Sequence, residues 1–178
     1  MALRTLTEFG NPILRKKAKR VSASFLRTRA FKKLKRDMLA TMRKAGGIGI
    51  AAPQVGVSRQ ITVLELRPTP SRPRLKQKGP LFVINPEIVR HAGRKNLSWE
   101  GCLSFPDGRG KVPRASSVLV RYTDTEGKRR MERVSGLWAQ IFQHEINHLN
   151  GILYVDRVKD MKSLMTVKEY QRRIVDKK

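Results

Sequence analysis

One cysteine, Cys102, in 178 residues leaves no possible intrachain disulfide, so nothing marks an oxidising compartment and cytoplasm is the expected location. Nowhere do the roughly 18 to 20 consecutive apolar residues occur that a helix needs to cross a bilayer, which excludes a membrane-spanning helix and leaves no membrane role. Acidic residues are scarce: 14 Asp and Glu stand against 39 Lys and Arg, a formal charge of +25. A field of that size attracts polyanions, nucleic acid ahead of membrane surfaces, although net charge alone never names a partner. Histidine is scarcer still. Of three in the whole chain, two fall in one nine-residue stretch, QHEINHLNG, residues 143 to 151.

The length is that of one domain, 1–178, able to bury a core without disulfides. There is no internal repeat and no low-complexity block. A long amphipathic helix is predicted from a Ser24 cap to a stop at Gly46 and Gly47, with Phe31, Leu34, Met38 and Met42 at helical spacing. Residues 60–66 and 80–89 read as strands, separated by a proline- and cation-rich excursion over 67–79. Residues 116–136 alternate as a hairpin with its turn near Glu126 and Gly127. Helical period returns over 137–150 with Gly151 as a stop, and a last helix is expected over 162–175 with Leu164, Val167 and Ile174 facing inward. The expected class is α+β: antiparallel strands around a central helix carrying HExxH, with an N-terminal and a C-terminal helix.

Residues i and i+4 project from one side of a helix, so His144 and His148 can reach one ion while Glu145, turned aside, can reach a water beside it. That spacing suits metal-assisted hydrolysis. A catalytic ion needs a third protein ligand. The metzincin pattern would put a histidine where Tyr154 stands, which excludes that family. Glu169 lies at a thermolysin-like distance but within a basic surface pattern, and His91 follows a strand as a loop residue would. Cys102, in WEGCLS, offers a thiolate suited to zinc or ferrous iron, with Gly101 allowing close backbone approach and Glu100 available to orient a ligand histidine.

Three separated stretches, GIGIAAPQ (47–54), EGCLS (100–104) and QHEINHLNG, resemble the three signature motifs of the peptide deformylases, GxGxAAxQ, EGCLS and QHExDHLxG, in the same order. FGNPILRKKAKRV, from Phe9, is similar to that family's amino-terminal segment, which leaves little room for a transit peptide. The resemblance implies removal of the formyl group from the initiator methionine of nascent polypeptides. It further implies one divalent ion held by Cys102, His144 and His148: ferrous iron in the cell, replaceable by zinc, nickel or cobalt. Glu145 would be the proton carrier, and the Gln54 side-chain amide and the Leu103 backbone N–H would hold the developing oxyanion beside Gly49. Ile48, Leu137 and Ile141 would line an apolar pocket for the methionine side chain.

One position departs from the family pattern: Asn147 stands where Asp is usual. If that carboxylate ordinarily pairs with an arginine such as Arg114, a neutral hydrogen bond replaces a charge-assisted one behind the metal. The competing functions are an HExxH endopeptidase and a basic ribosome- or RNA-binding protein with impaired catalysis. Residues 1–45 hold fourteen Lys and Arg against two acids, and residues 159–178 hold seven against three, charge free to dock on ribosomal RNA. In related enzymes a C-terminal helix is thought to make that contact, and here Lys168, Arg172, Arg173, Lys177 and Lys178 would line it.

Overall fold

The computed structural model describes residues 2–69 and 73–176. Met1, the centre of the predicted excursion (70–72) and the tail cations Lys177 and Lys178 lie outside the described residues. Five strands form one antiparallel sheet in the order β1 (Gly49–Ala51), β2 (Ile61–Leu66), β3 (Lys78–Cys102), β4 (Phe105–Thr123), β5 (Arg129–Ser135), and a short β6 (Met165–Thr166) pairs with the start of β4. Among the described residues no helix is long and apolar enough to cross a membrane.

The N-terminal helix is two helices. Ser22 caps α1 (Ala23–Leu26) and Thr28 caps α2 (Arg29–Lys44), its Oγ1 accepting from Phe31 N at 3.1 Å. The predicted Ser24 cap is therefore displaced: Thr28 offers the backbone a local partner, and that competition breaks the helical run between Leu26 and Arg29. The predicted stop holds. Gly46, at φ +71°, and Gly47 donate back to Arg43 and Met42, closing α2 with a Schellman turn.

β2 is buried on both faces because helices cover both. Val63 and Ile61 join Phe31, Leu34, Met38 and Met42 of α2 on one side. Leu64 joins Val118, Val120, Val134, Trp138, Phe142 and Ile146 on the other, where α3 (Gly136–Leu149) lies. Gln143 ties that helix to β4, accepting from Ala115 N at 3.0 Å and donating to Ala115 O at 2.9 Å. A second Schellman turn at Gly151 ends α3, and the glycine is required: a Cβ there would sit 2.5 Å from the Arg15 carbonyl oxygen.

Three expected elements have other bounds in the structure. The strand predicted over 80–89 runs on to Cys102, passing Pro86 and Gly93 through register shifts, so His91 is in a strand and not in a loop. The predicted hairpin is correct, with Gly127 at φ +86° in its turn, but its first arm begins at Phe105, in a segment whose Gly, Pro and Asp conceal strand character. The predicted C-terminal helix starts at α4 (Val167–Tyr170), capped by Thr166, and continues as a π-helical turn to Val175. Leu164 precedes it and packs beside Cys102, Val112 and Tyr154, while Tyr170 anchors the helix on Trp99, ring centroids 5.2 Å apart.

Glu65, buried at the end of β2, receives two bonds from Arg43 (2.6 and 2.9 Å) and lies 3.4 Å from Arg67 Nε. Arg67 in turn donates to the carbonyls of Arg43 and Gly47 at 3.1 and 3.2 Å, so one carboxylate fixes the end of α2 and the entry to β1. Removing one partner of a fully buried pair costs roughly 3–5 kcal/mol. Because Arg43 is half exposed, Glu65→Gln is expected to lower the unfolding free energy by about 2 kcal/mol, as charged hydrogen bonds do. Urea denaturation checks this, and an unshifted midpoint would show that the clamp adds nothing.

Candidate metal centre

α3 presents His144 and His148 one turn apart, facing the end of β3, where Cys102 lies in the turn into β4. Cys102 Sγ is 3.2 Å from His148 Nε2, which is 3.3 Å from His144 Nε2, and the three donor atoms all lie within 4.8 Å of one another. Two ligand nitrogens bound tetrahedrally at about 2.0–2.1 Å would stand about 3.4 Å apart. Three potential ligand atoms converging on one point, a sulfur and two ring nitrogens, fit a cation. Among the described residues this is the one group of its kind. Glu169 lies elsewhere on the surface, paired with Arg172 at 2.8 Å, and His91 is exposed on β3.

The surroundings hold these donors in place. His144 Nδ1 meets Glu100 Oε2 at 2.9 Å. Glu100 is gripped by Arg114 through two bonds of 2.8 and 2.9 Å, and Arg114 Nη1 donates to Asn147 Oδ1 at 2.6 Å. The arginine named from sequence as a partner for residue 147 is thus its partner, and a single guanidinium joins Asn147 on the helix to the carboxylate that orients His144. Gln140 Nε2 adds a 3.3 Å contact to Glu100. Burial alone would raise the Glu100 pKa, but Arg114 and His144 outweigh it and hold the carboxyl at about 2. Burial would also raise the Cys102 thiol, yet the neighbouring imidazoles bring it well below the ordinary thiol range, so the sulfur is a thiolate, the ligating form. Burial opposes a charge on His144, and its contacts with Cys102 and Glu100 prevail, raising its pKa to about 10. A cation entering the site displaces the His144 proton, so metal uptake releases acid.

Glu145 lies beside this cluster. Desolvation raises its pKa to about 7, and its Oε2 is buried without a hydrogen-bond partner. Gly49 of β1 lies against it: a Cβ there would stand 2.5 Å from Glu145 Oε1 and 3.0 Å from Ile141 Cγ2. Gln54 is buried, its Oε1 accepting from Ala51 N at 2.8 Å, which aims Nε2 at Cys102 Sγ (3.4 Å) and Ser104 Oγ (3.2 Å). Leu103 follows the cysteine, and its side chain lies where a Cβ on Gly47 would be. Ile48, Leu137 and Ile141 belong to one apolar cluster around α3. Glu100, Cys102, Leu103, Arg114, His144, Glu145, Asn147, His148, Gln54 and Gly49 are thus linked through contacts around one cluster, and Ile48, Leu137 and Ile141 pack in the apolar cluster around α3.

Sequence reasoning missed three neighbours. Ser104 N donates to Cys102 Sγ at 3.3 Å; it was already visible within EGCLS. The Arg109 guanidinium lies directly over Gly101, held by the Pro106 and Gly108 carbonyls. The Tyr154 ring stacks on His144 with centroids 6.3 Å apart, so the residue that excludes a third histidine instead packs behind a ligand. Only β3–β4 pairing and the turn after α3 bring these two in, and no local pattern announces it.

The sequence profile of polypeptide deformylases matches residues 3–164. The chain belongs to the polypeptide deformylase family. It is 40% identical over 166 residues to peptide deformylase 2 of Nostoc sp., covering 93% of this chain and 92% of that one. With the peptide deformylase of Thermomicrobium roseum it is 44% identical over 167 residues, 92% and 90% of the two chains. Among solved structures, the Met-Ala-Ser-bound class I type b deformylase from Acinetobacter baumannii aligns with a TM-score of 0.85 at 39% identity, covering 88% of this chain and 99% of that one. The actinonin complex of the Synechococcus elongatus deformylase aligns with a TM-score of 0.80 at 40% identity, over 90% and 81%. The α+β architecture with helices near both ends is the architecture of these deformylases.

Proposed function

We propose that the chain removes the N-formyl group from the initiator methionine of nascent polypeptides in the cytoplasm, releasing formate, with Cys102, His144 and His148 holding a ferrous ion that zinc, nickel or cobalt can replace. The observation that carries the site assignment is the convergence of these three donors beside a buried, unpartnered carboxylate oxygen of Glu145 and the aimed amide of Gln54. Family membership favours deformylation over an HExxH endopeptidase or an RNA-binding protein without catalysis.

When bound, the divalent ion supplies Lewis-acid polarisation of the formyl carbonyl and acidifies a water. Glu145 accepts the proton of the attacking water and returns it to the leaving amine; a carboxyl near neutrality in pKa serves both transfers. Gln54 Nε2 and the Leu103 N–H donate to the oxygen on which negative charge builds. Ile48, Leu137 and Ile141 receive the methionine side chain, and Gly49 leaves room between that pocket and Glu145. A peptide bound in the Acinetobacter baumannii relative is Met-Ala-Ser, the tripeptide that remains after such a reaction. Ribosomal RNA is the partner that the basic surface favours, since a formylated terminus exists only as it leaves the ribosome.

Anaerobic incubation with formyl-Met-Ala-Ser and with an unformylated peptide tests the reading. Formate release from the first alone is expected, and cleavage at internal bonds would establish an endopeptidase instead.

Asn147→Asp is expected to leave turnover and metal content unchanged or to raise them by up to about tenfold, because Arg114 gains a charged acceptor where it now has an amide. Parallel kinetics and elemental analysis read this out. A loss beyond tenfold would show that the surroundings are built around the amide.

A further inference from the structure

Seven Lys and Arg and a single acid occupy α2. The acid, Asp37, is buried and lies 2.7 Å from Lys33 Nζ and 3.4 Å from Arg4 Nε. Arg43 is committed to Glu65, and Lys35 lies over the rings of Phe31 and Phe82 at 5.2 and 5.4 Å. That leaves Arg29, Lys32, Arg36 and Lys44, all exposed and with no ion pair among the described residues. At 100° per residue the four fall within 60° of Arg29 around the helix, opposite Phe31, Leu34, Met38 and Met42. At about 1.5 Å per residue they mark a straight ridge about 22 Å long.

Such a ridge is not a lipid anchor. An interfacial helix inserts its apolar face among acyl chains, whereas the apolar face of α2 is sealed into the core against Ile50, Ile61, Val63 and Ile84. A rigid line of unneutralised cations with no exposed aromatic or large apolar residue among them complements a regular array of phosphates, and duplex RNA is bound largely through its backbone and shape. The tail is the weaker candidate. Of its described cations Arg172 is paired with Glu169, and of Lys159, Lys162, Lys168 and Arg173, which remain, the first two precede α4 and share no helix face with the others.

We propose that Arg29, Lys32, Arg36 and Lys44 form a phosphate-binding ridge by which α2 docks on duplex RNA without reading its sequence. This rests on the reading of RNA as the partner. Because α2 runs through its Schellman turn into Gly49 at the metal centre, docking by this helix holds the cleft at a fixed position relative to the RNA.

The test measures binding of the full chain to a fluorescent RNA duplex of about 20 base pairs across a salt series, with vesicles rich in phosphatidylserine and polyglutamate as comparators. The variant Arg29→Gln/Lys32→Gln/Arg36→Gln/Lys44→Gln is set against Arg90→Gln/Arg94→Gln/Lys95→Gln/Arg133→Gln, which removes the same charge from exposed strand positions. The ridge variant is expected to lose at least tenfold in RNA affinity at about 0.1 M salt and to flatten the salt slope by about 4, since each lost phosphate contact removes about one unit. The strand variant should lose less than threefold. Equal losses in both would reduce the effect to net charge, and tighter binding of wild type to vesicles or polyglutamate than to RNA would name a different partner; either overturns the ridge. Formyl-Met-Ala-Ser turnover and the melting temperature, run on the same proteins, should not move. If wild type binds RNA with the ridge dependence yet releases no formate, the proposed activity fails and the ridge stands. If it releases formate and binds no RNA, the ridge fails alone.

Discussion

Glu145→Gln is expected to retain a full complement of metal and to lose about 10³-fold in turnover, whereas Cys102→Ala, His144→Ala and His148→Ala each lose the metal itself. The two phenotypes separate because Glu145 lies beside the donor set without belonging to it. Glu145 is not among the three converging donor atoms, and its Oε2 has no partner, so an amide of the same shape leaves the donors where they are. It cannot accept a proton, and general acid–base catalysis is worth roughly 10² to 10⁴. Each ligand removal instead leaves two donors, one fewer protein ligand than such catalytic sites use. Elemental analysis of the four purified proteins beside the formate assay decides it. Full occupancy in Cys102→Ala would dismiss the sulfur as a ligand, and unchanged turnover in Glu145→Gln would dismiss the proton carrier.

Gly49→Ala should fall about 10²-fold in kcat with its metal in place, far more than Gly47→Ala. A methyl at 49 arrives 2.5 Å from Glu145 Oε1 and 3.0 Å from Ile141 Cγ2, so the carboxylate must move or the strand must retreat from the helix. Misplacing a reacting group by about 1 Å commonly costs a hundredfold. At 47 the methyl meets the Leu103 side chain, closest at Cδ1 (2.7 Å), the far end of a flexible chain that can rotate away. Position 49 thus tests the spacing between β1 and α3, and position 47 controls for the loss of a glycine. Equal kinetics in the two variants would show that Glu145 tolerates the displacement and that the gap at Gly49 is incidental.

Much of the site was legible because its chemistry is local. HExxH needs only the helical repeat to place two imidazoles together, and the glycines after α2 and α3 signal their own turns. The choice of Cys102 over Glu169 or His91 was not open to spacing arguments, since residues forty apart in sequence meet only through β3 and α3. The length of β3 and β4 was hidden for a related reason: strand pairing over a bulged ribbon rewards burial against a partner and not intrinsic preference, so GRKN and FPDGRG could pass for loops. The split between α1 and α2 turned on which hydroxyl wins the backbone, Ser22 and Thr28 and not Ser24.

By itself the sequence carried the two HExxH histidines as candidate donors with Glu145 beside them, the family and the sign of the net charge, because residue types and short-range periodicity carry these. The tertiary structure decided which cations stay free. Glu65 claims Arg43, Glu100 claims Arg114, Glu169 claims Arg172, and Asp37 claims Lys33, and among the described cations left without an ion pair are the four that align on α2. Composition counts charges, but only folding brings acids from distant segments within about 4 Å of a cation, where Coulomb attraction outweighs hydration and screening, and so selects which remain for a partner.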